Sequence, residues 1–246
     1  MDIFFEIHKD IPREGPGDNQ STKKAYEILK EIPSNPNILD IGCGPGMQTI
    51  ELAKHTDGNI YALDTQKQFL DRLNENAQEN KVNHKIKTIQ GSMFNLGEYF
   101  EENELDLIWS EEAIFIIGFE EGLKKWKPFL KKDGYLVVSE VSWIEENIPK
   151  EIKDFWESDY PSIHHIEGNI ELVKKCGYKL IDKFIIPESS WWDHYYIHLE
   201  KRISILREIH SDEDEWISRL DNTQKEIEMY RKYSKYYGYV FYIMQR

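Results

Sequence analysis

An apolar run that breaks into alternating glycines and then resumes with helical spacing, N-I-L-D-I-G-C-G-P-G-M-Q-T-I-E-L over residues 37–52, limits this chain to few folds. Asn37 to Ile41 read as a short buried strand, and the apolar positions after Met47 read as a helix from about Gln48 to Lys54. Glycine lacks a Cβ and accepts positive φ, so Gly42, Gly44 and Gly46 let the chain turn tightly and lie against a ligand. In open α/β sheets the ligand sits outside the carboxyl ends of the strands, where this loop falls.

The rest of the chain alternates in the same way. Asn59 to Leu63 form a second short strand that ends at Asp64, followed by a polar helix, Gln66 to Asn80, with apolar positions at Phe69, Leu70, Leu73 and Ala77. Strands are predicted at Ile86 to Gln90, at Leu105 to Trp109 and, after the Asp133-Gly134 turn, at Tyr135 to Val141; a helix at Phe119 to Leu130 separates the last two. Parallel strands need crossovers that cover the sheet faces, so this order predicts a doubly wound, mostly parallel α/β sheet. Ahead of it, turn chemistry at Gly15 to Asn19 precedes a helix from about Ser21, as N-cap, to Ile32, stopped by Pro33 and Pro36. After Ser142 come a helix at Asn169 to Cys176 ended by Gly177, a strand at Lys179 to Ile186, and a final strand in the last residues. The stretch from Pro187 between those two strands is longer than a sheet needs and reads as helices over the ligand edge. The expectation is one domain, 1–246, with an N-terminal cap segment, 1–35, and a helical insertion, 187–235, covering the acceptor site.

Charge narrows the partners. A formal net charge of -14, spread along the chain, repels nucleic acid phosphates and anionic membranes, so a small neutral or cationic partner fits better. The basic runs at Lys124, Lys125 and Lys127 and at Lys131-Lys132 read as a solvated helix face and its end. Cys43 and Cys176 have no partner at metal or redox spacing, which predicts a reduced compartment; His164-His165 read as loop, and no metal site is expected. The first residues are too short an apolar run for a secretory signal and no window approaches a membrane span, so a cytoplasmic location is expected.

Two ligand classes compete at the glycines. A dinucleotide fingerprint is G-x-G-x-x-G, and its third glycine falls on Met47; the spacing here is G-x-G-x-G, preceded by Asp40. Asp64, at the end of the second strand, can accept hydrogen bonds from both hydroxyls of a ribose, which supports a nucleoside in either class.

The chain resembles the class I S-adenosylmethionine-dependent methyltransferases in I-L-D-I-G-C-G-P-G, in Y-A-L-D at 61–64, in L-D-L-I-W-S at 105–110 and in L-K-K-D-G-Y-L-V-V-S-E at 130–140. The resemblance implies a seven-stranded Rossmann-like sheet and S-adenosyl-L-methionine as cofactor. Gly42, Gly44 and Gly46 would pass beside its methionine part with Cys43, Gln48 and Thr49 around them. Asp40 would face the ammonium, Asp64 with Thr65 the ribose, and Gly91, Ser92 and Met93 the adenine. Where the family commonly has an acid after that glycine, Ser92 offers a hydrogen bond without charge. This cofactor has no phosphate, in keeping with the lack of lysine between Gly42 and Leu52. A closer resemblance, to small-molecule methyltransferases of the ubiquinone and menaquinone biosynthesis type, lies in R-E-G-P-G at 13–17, S-E-E-A-I-F-I-I-G-F-E at 110–120 and Y-G-Y-V-F-Y at 237–242. It implies that the N-terminal loop, with Arg13 and Gly17, folds over the cofactor beside Ser110, and that Glu111 to Ile116, including Phe115, line the reaction chamber.

Methyl transfer from a sulfonium is an in-line displacement, so positioning and water exclusion supply much of the acceleration. A base is needed only for a protonated acceptor; Glu111, Glu140 and His194 are candidates, although Glu111 also reads as a helix cap, Glu140 as a solvent-facing residue and His194 as a surface imidazole. Trp191, Trp192, Tyr195 and Tyr196 have i,i+4 spacing, 191 with 195 and 192 with 196. That suits packing on the sheet, or contact of Trp191, Trp192 and Tyr195 with a flat or cationic acceptor. The leading reading is a small-molecule methyltransferase. The alternatives are a nicotinamide-dependent oxidoreductase, which Met47 opposes, and a cofactor-binding protein without catalysis.

Overall fold

Strands covered by helices on both sides must be apolar on both faces, and in the computed structural model every residue of the fourth strand, Leu105–Ser110, is buried. The structure describes residues 3–9 and 11–246; Met1, Asp2 and Asp10 of the expected 1–35 cap segment lie outside the described residues. Two helices come first, α1 (Ile3–His8) and α2 (Asn19–Glu27). The alternating part then runs β1 (Asn37–Ile41), α3 (Met47–His55), β2 (Asn59–Asp64), α4 (Lys67–Glu79), β3 (Ile86–Gln90), β4 (Leu105–Ser110), α5 (Phe119–Trp126) and β5 (Leu130–Trp143). It continues through α6 (Lys150–Asp159), a two-residue β6 (His164–His165), α7 (Ile166–Lys175) and β7 (Lys179–Ile185). The remainder is α8 (Glu188–Trp191), a π-helical turn (Trp192–Tyr196), α9 (Ile197–Ile209), α10 (Asp214–Tyr233) and β8 (Tyr237–Gln245).

The sheet order is β3-β2-β1-β4-β5-β8-β7, with β6 on β5. β8 runs antiparallel to both its neighbours, while β1 to β5 pair in parallel. The order turns back between β1 and β4, and a crevice at that switch point is where such sheets hold ligands. Side chains alternate along β5: Val137, Val141 and Trp143 join the core under α1, α2 and the α8–α10 helices, and Leu136 and Val138 join the core under α5 and α7. No helix among the described residues is long and apolar enough to cross a membrane.

Several boundaries differ from the sequence expectation for identifiable reasons. Asp18, not Ser21, caps α2, its Oδ1 accepting from Ser21 N at 2.7 Å. The helix expected to reach Leu130 ends at Trp126 and passes into a short 3-10 turn, Lys127–Phe129, around Pro128. Lys127 is not a solvated end: its ammonium donates to the carbonyls of Cys176 and Gly177 at 2.7 and 2.8 Å and so caps α7, where Gly177 takes φ 75°. Lys131 likewise holds Asp106 at 2.8 Å. His164 and His165 pair with Ser142 and Trp143 as β6 and do not form a loop.

The stretch after Pro187 is helical, but the π turn alters its pairing. Its wider winding brings residues five apart into line, so Trp191 meets Tyr196 at 5.8 Å, while Trp192 keeps the expected Tyr196 at 5.5 Å. Trp191 also stacks on Tyr230 at 4.1 Å and on Tyr239 of β8 at 5.2 Å. It is a buried anchor of the insertion on the sheet.

Candidate functional site

The loop between β1 and α3 has three glycines in the left-handed region, at φ 72°, 52° and 89°, and they serve different ends. A Cβ on Gly42 would overlap that of Ala113, and one on Gly46 would run into Leu73 of α4. Those two are bare because neighbouring elements pack on them. Gly44 is the one whose open side meets only Glu14, whose Cγ lies 3.3 Å from where a Cβ would be. The loop is held from below by β2: Gly42 N and Cys43 N both donate to Leu63 O, and Asp64 accepts from Gly44 N at 3.0 Å and from Gln66 N at 2.8 Å. A carboxylate offers about four lone-pair positions, so Asp64 retains acceptor capacity.

Asp40 lies fully buried beneath the loop. Thr49 donates to its Oδ2 at 2.5 Å, its Oδ1 has no partner, and burial raises its pKa to about 7. Gln48 donates to Cys43 O at 3.1 Å, and burial pushes the Cys43 thiol up, so that side chain is an inert filler. Ser110 Oγ donates to Ile41 O at 3.0 Å and ties β4 to β1. Farther along the strand ends, Thr65 is exposed, Gly91 N donates to Asp64 O at 2.9 Å, Ser92 Oγ accepts from Phe94 N at 3.3 Å, and Met93 O accepts from Trp126 Nε1 at 3.2 Å. The predicted cofactor residues thus share one carboxyl edge, spanning β1, β2, β3 and β4.

A strap of residues 11–18 lies over this edge. Arg13, buried, donates to Glu111 Oε2 at 3.2 Å and to Asn19 Oδ1 at 2.9 Å. Glu111 Oε1 also accepts from Thr22 at 2.7 Å and from Trp109 Nε1 at 2.9 Å. With three donors on its two oxygens, Glu111 is the strap's anchor, and this geometry leaves it ill suited to the general-base role expected from sequence. A Cβ on Gly17 would stand 2.9 Å from Glu112 Oε1 and 3.0 Å from an Arg13 guanidinium nitrogen. Asp18 accepts from the Ser190 hydroxyl, which joins the strap to the insertion.

Sequence reading gave no role to Glu14, Tyr160 or His8 and held Glu112 only as part of the Glu111 to Ile116 stretch. Glu14 points a partnerless Oε2 inward, and burial together with the Asp64 charge raises its pKa to about 9. Glu112 sits at φ 55°, donates its N–H to Ser139 Oγ at 2.9 Å, and has its pKa pushed well up by burial. Tyr160, at the end of α6, meets Phe115 edge to face at 6.0 Å. His8 of α1 is buried, its Nε2 3.1 Å from the Tyr195 hydroxyl, and burial lowers its pKa to about 4, so the ring is neutral. His194, by contrast, is exposed on the π turn, so His8 is the imidazole that the structure buries beside the strap. The signal for His8 was its place at the end of the apolar I-F-F-E-I-H segment. Trp191 and Tyr195 are buried, while half-buried Trp192 carries the Arg231 guanidinium 5.1 Å over its ring. An open cleft of about 540 Å³ beside the strap is lined by Phe5, His8, Glu14, Pro45, Met47 and Phe69, among others. Among the described residues, no group of three or more His, Cys, Asp or Glu is placed to hold a metal ion.

Comparison with known proteins places this geometry in context. A family model described as a methyltransferase domain matches residues 32–202. The phosphoethanolamine N-methyltransferase of Plasmodium falciparum (isolate 3D7) is 26% identical over 228 residues, covering 86% of this chain and 82% of that protein. The sterol 24-C-methyltransferase erg6 of Aspergillus fumigatus is 28% identical over 142 residues, 57% of this chain, but the chain spans only 35% of that protein. Among solved structures, a methyltransferase from Geobacter sulfurreducens in complex with S-adenosyl-L-homocysteine superposes with TM-score 0.82 at 16% identity, covering 99% of this chain and 98% of the other. YJHP from E. coli superposes with TM-score 0.84 at 18% identity, covering 99% of each chain. These two share the fold.

Proposed function

The chain belongs to the methyltransferase-domain family, and from that premise we propose that it transfers a methyl group from S-adenosyl-L-methionine to a small-molecule acceptor. The observation that carries the reading is the cradle between β1 and β2. Two carboxylates with unused acceptor positions, Asp40 and Asp64, flank a glycine backbone that contains no lysine for a phosphate. An ammonium group, a ribose diol and a sulfonium cation are complementary to such a surface. A structural neighbour solved with S-adenosyl-L-homocysteine supports the same ligand.

When bound, the cofactor supplies a methyl group on positively charged sulfur that departs as a neutral thioether. The chain's contribution is to bind and orient. Asp40 takes the ammonium directly or through water, Asp64 the ribose, and Gly91, Ser92 and Met93 the adenine. The strap from Arg13 to Gly17 keeps water out, which strengthens every electrostatic contact inside. Relatives that act on phosphoethanolamine and on sterols support a small acceptor, and the net charge of -14 argues against nucleic acid.

Calorimetric titration with S-adenosylmethionine, S-adenosylhomocysteine and NAD tests this function against the oxidoreductase alternative. Binding of the first two and silence with NAD is expected. Tight NAD binding with silent sulfonium and thioether titrations would overturn the proposal.

A further inference from the structure

Past the carboxyl end of β4, a second group of polar atoms lacks full partners. Glu140 pairs in register with Val240, two residues beyond the pairing of Val138 with Ser110. Two residues of strand advance about 6.6 Å, so its carboxyl stands past the end of β4, level with the loop that carries Glu112. Glu140 is 2% exposed and its Oε2 has no hydrogen-bond partner. The Tyr160 hydroxyl lies beside that carboxyl and by the Phe119 backbone, and its approach to both falls short of full hydrogen-bond geometry. Asn169 of α7, 1% exposed, directs its Nδ2 to Ser142 Oγ at 3.1 Å and Tyr242 Oη at 3.2 Å, which leaves its Oδ1 without a partner. Phe119 against Tyr242 at 5.4 Å, and Phe115 against Tyr160, wall the group with rings. Gly118 beside them has open space where a Cβ would be.

Buried polar atoms without partners are unfavourable, and native proteins keep few of them. The Asn169 carbonyl can only accept, Glu140 only accepts once it is ionised, and the aromatic walls favour a cation. We propose that Glu140, Tyr160 and Asn169 form the acceptor's recognition pocket and that it takes the ammonium group of a small amine, which makes the protein an N-methyltransferase. The inference deepens the methyltransferase reading and rests on it. Burial is the main influence on Glu140, raising its pKa to about 8, and no lysine or arginine is among the groups that act on it; Tyr160 faces it from α6 and Tyr242 from β8. Without a guest the carboxyl therefore holds a proton at neutral pH, and an arriving ammonium displaces it. Once ionised, Glu140 can take one proton from the ammonium while the N–H bonding pair stays on nitrogen as the lone pair a methyl acceptor needs.

The test uses the full chain loaded with S-adenosylhomocysteine. Ethylamine, ethanolamine, histamine and benzylamine are titrated by calorimetry in two buffers of different ionisation heat at pH 7, with catechol and benzoate as non-amines. At least one amine is expected to bind with release of protons and to raise the melting temperature, while the non-amines stay silent. Glu140→Gln is expected to leave S-adenosylhomocysteine affinity within about twofold and weaken the amine about tenfold or more, the loss of one charge-assisted hydrogen bond. Tyr160→Phe, on the rim of the pocket, serves if the first variant does not fold, and is expected to weaken the amine severalfold. Amines that are silent on loaded protein, or that bind equally to either variant, would overturn this inference alone. Failure of S-adenosylhomocysteine to bind would overturn the methyltransferase reading and this inference with it.

Discussion

Replacing Glu111 with glutamine removes the charge opposite Arg13 and keeps a side chain able to accept from Thr22 and Trp109. The two charged side chains are only 7% and 4% exposed, so the guanidinium would remain buried with Asn19 as its direct partner. Deleting one partner of a buried pair destabilises by about 3–5 kcal/mol. The low end applies, because Glu112, which already feels the Arg13 charge, can ionise and replace part of the lost attraction. A loss of about 3 kcal/mol lowers the melting temperature of a chain this size by roughly 6–12 °C. Melting, hydrogen exchange across residues 11–19 and calorimetry with S-adenosylhomocysteine together measure the effect. Exchange in the strap is expected to rise most, with cofactor affinity falling alongside stability. Combining Arg13→Met with Glu111→Gln removes both charges and is expected to recover much of the loss. Unchanged melting with turnover reduced about 10²–10⁴-fold, the range for loss of a general base, would refute the anchoring role.

Asp64→Ala removes the acceptor for Gly44 N in the glycine loop and the one for Gln66 N before α4, as well as the proposed ribose contact, and calorimetry is expected to show S-adenosylhomocysteine affinity falling at least about tenfold, one charge-assisted hydrogen bond; retained affinity would refute the ribose role. Gly46→Ala combines a left-handed φ, costing about 1–2 kcal/mol, with overlap on Leu73, costing about 1–3 kcal/mol more; denaturant melts are expected to show it clearly less stable than Gly44→Ala. Trp191→Ala removes the ring stacked on Tyr230 and Tyr239 and is expected to lower stability by about 3–5 kcal/mol in urea melts. The unliganded protein is expected to lose stability as pH rises from about 5 to 9 in melts at several pH values. Asp40, Glu140 and Glu14 hold protons in the folded state up to about 7, 8 and 9, whereas their unfolded counterparts ionise near 4, so the native state binds more protons across that window. Glu140→Gln should flatten the slope. His8 acts in the opposite sense: folded near 4 against 6.5 unfolded, it withdraws stability as pH falls below about 6.5.

The sheet was legible because buried parallel strands and amphipathic crossovers leave a strong periodic trace. The cradle was legible because a bare loop between a strand and a helix has few other uses. Less visible was why each glycine is there: Gly42 and Gly46 answer to Ala113 and Leu73, side chains that only the folded chain brings near. Glu111 read as a base because its type and place suit one, yet its three donors come from residues as distant in sequence as Arg13 and Thr22. His8 carried no motif and Glu14 stood without a role inside R-E-G-P-G; burial, and for Glu14 the Asp64 charge as well, gives them their properties. The i,i+4 pairing of the aromatic segment failed in part because a π turn has no reliable signature in sequence.

That π turn, Trp192–Tyr196, amounts to one extra residue wound into a helix. Deleting a single residue there would let the turn close as an ordinary α-helix and leave α9 facing nearly as it does now, because the wider turn absorbs the extra residue. Trp191 would keep its seat on β8 and Arg202 of α9 its bond to Glu6, while the contacts made inside the turn, Tyr195 with His8 among them, would be redrawn. One codon gained or lost at this point is therefore a way for descendants of such a protein to change what surrounds His8 without touching the sheet or the glycine loop.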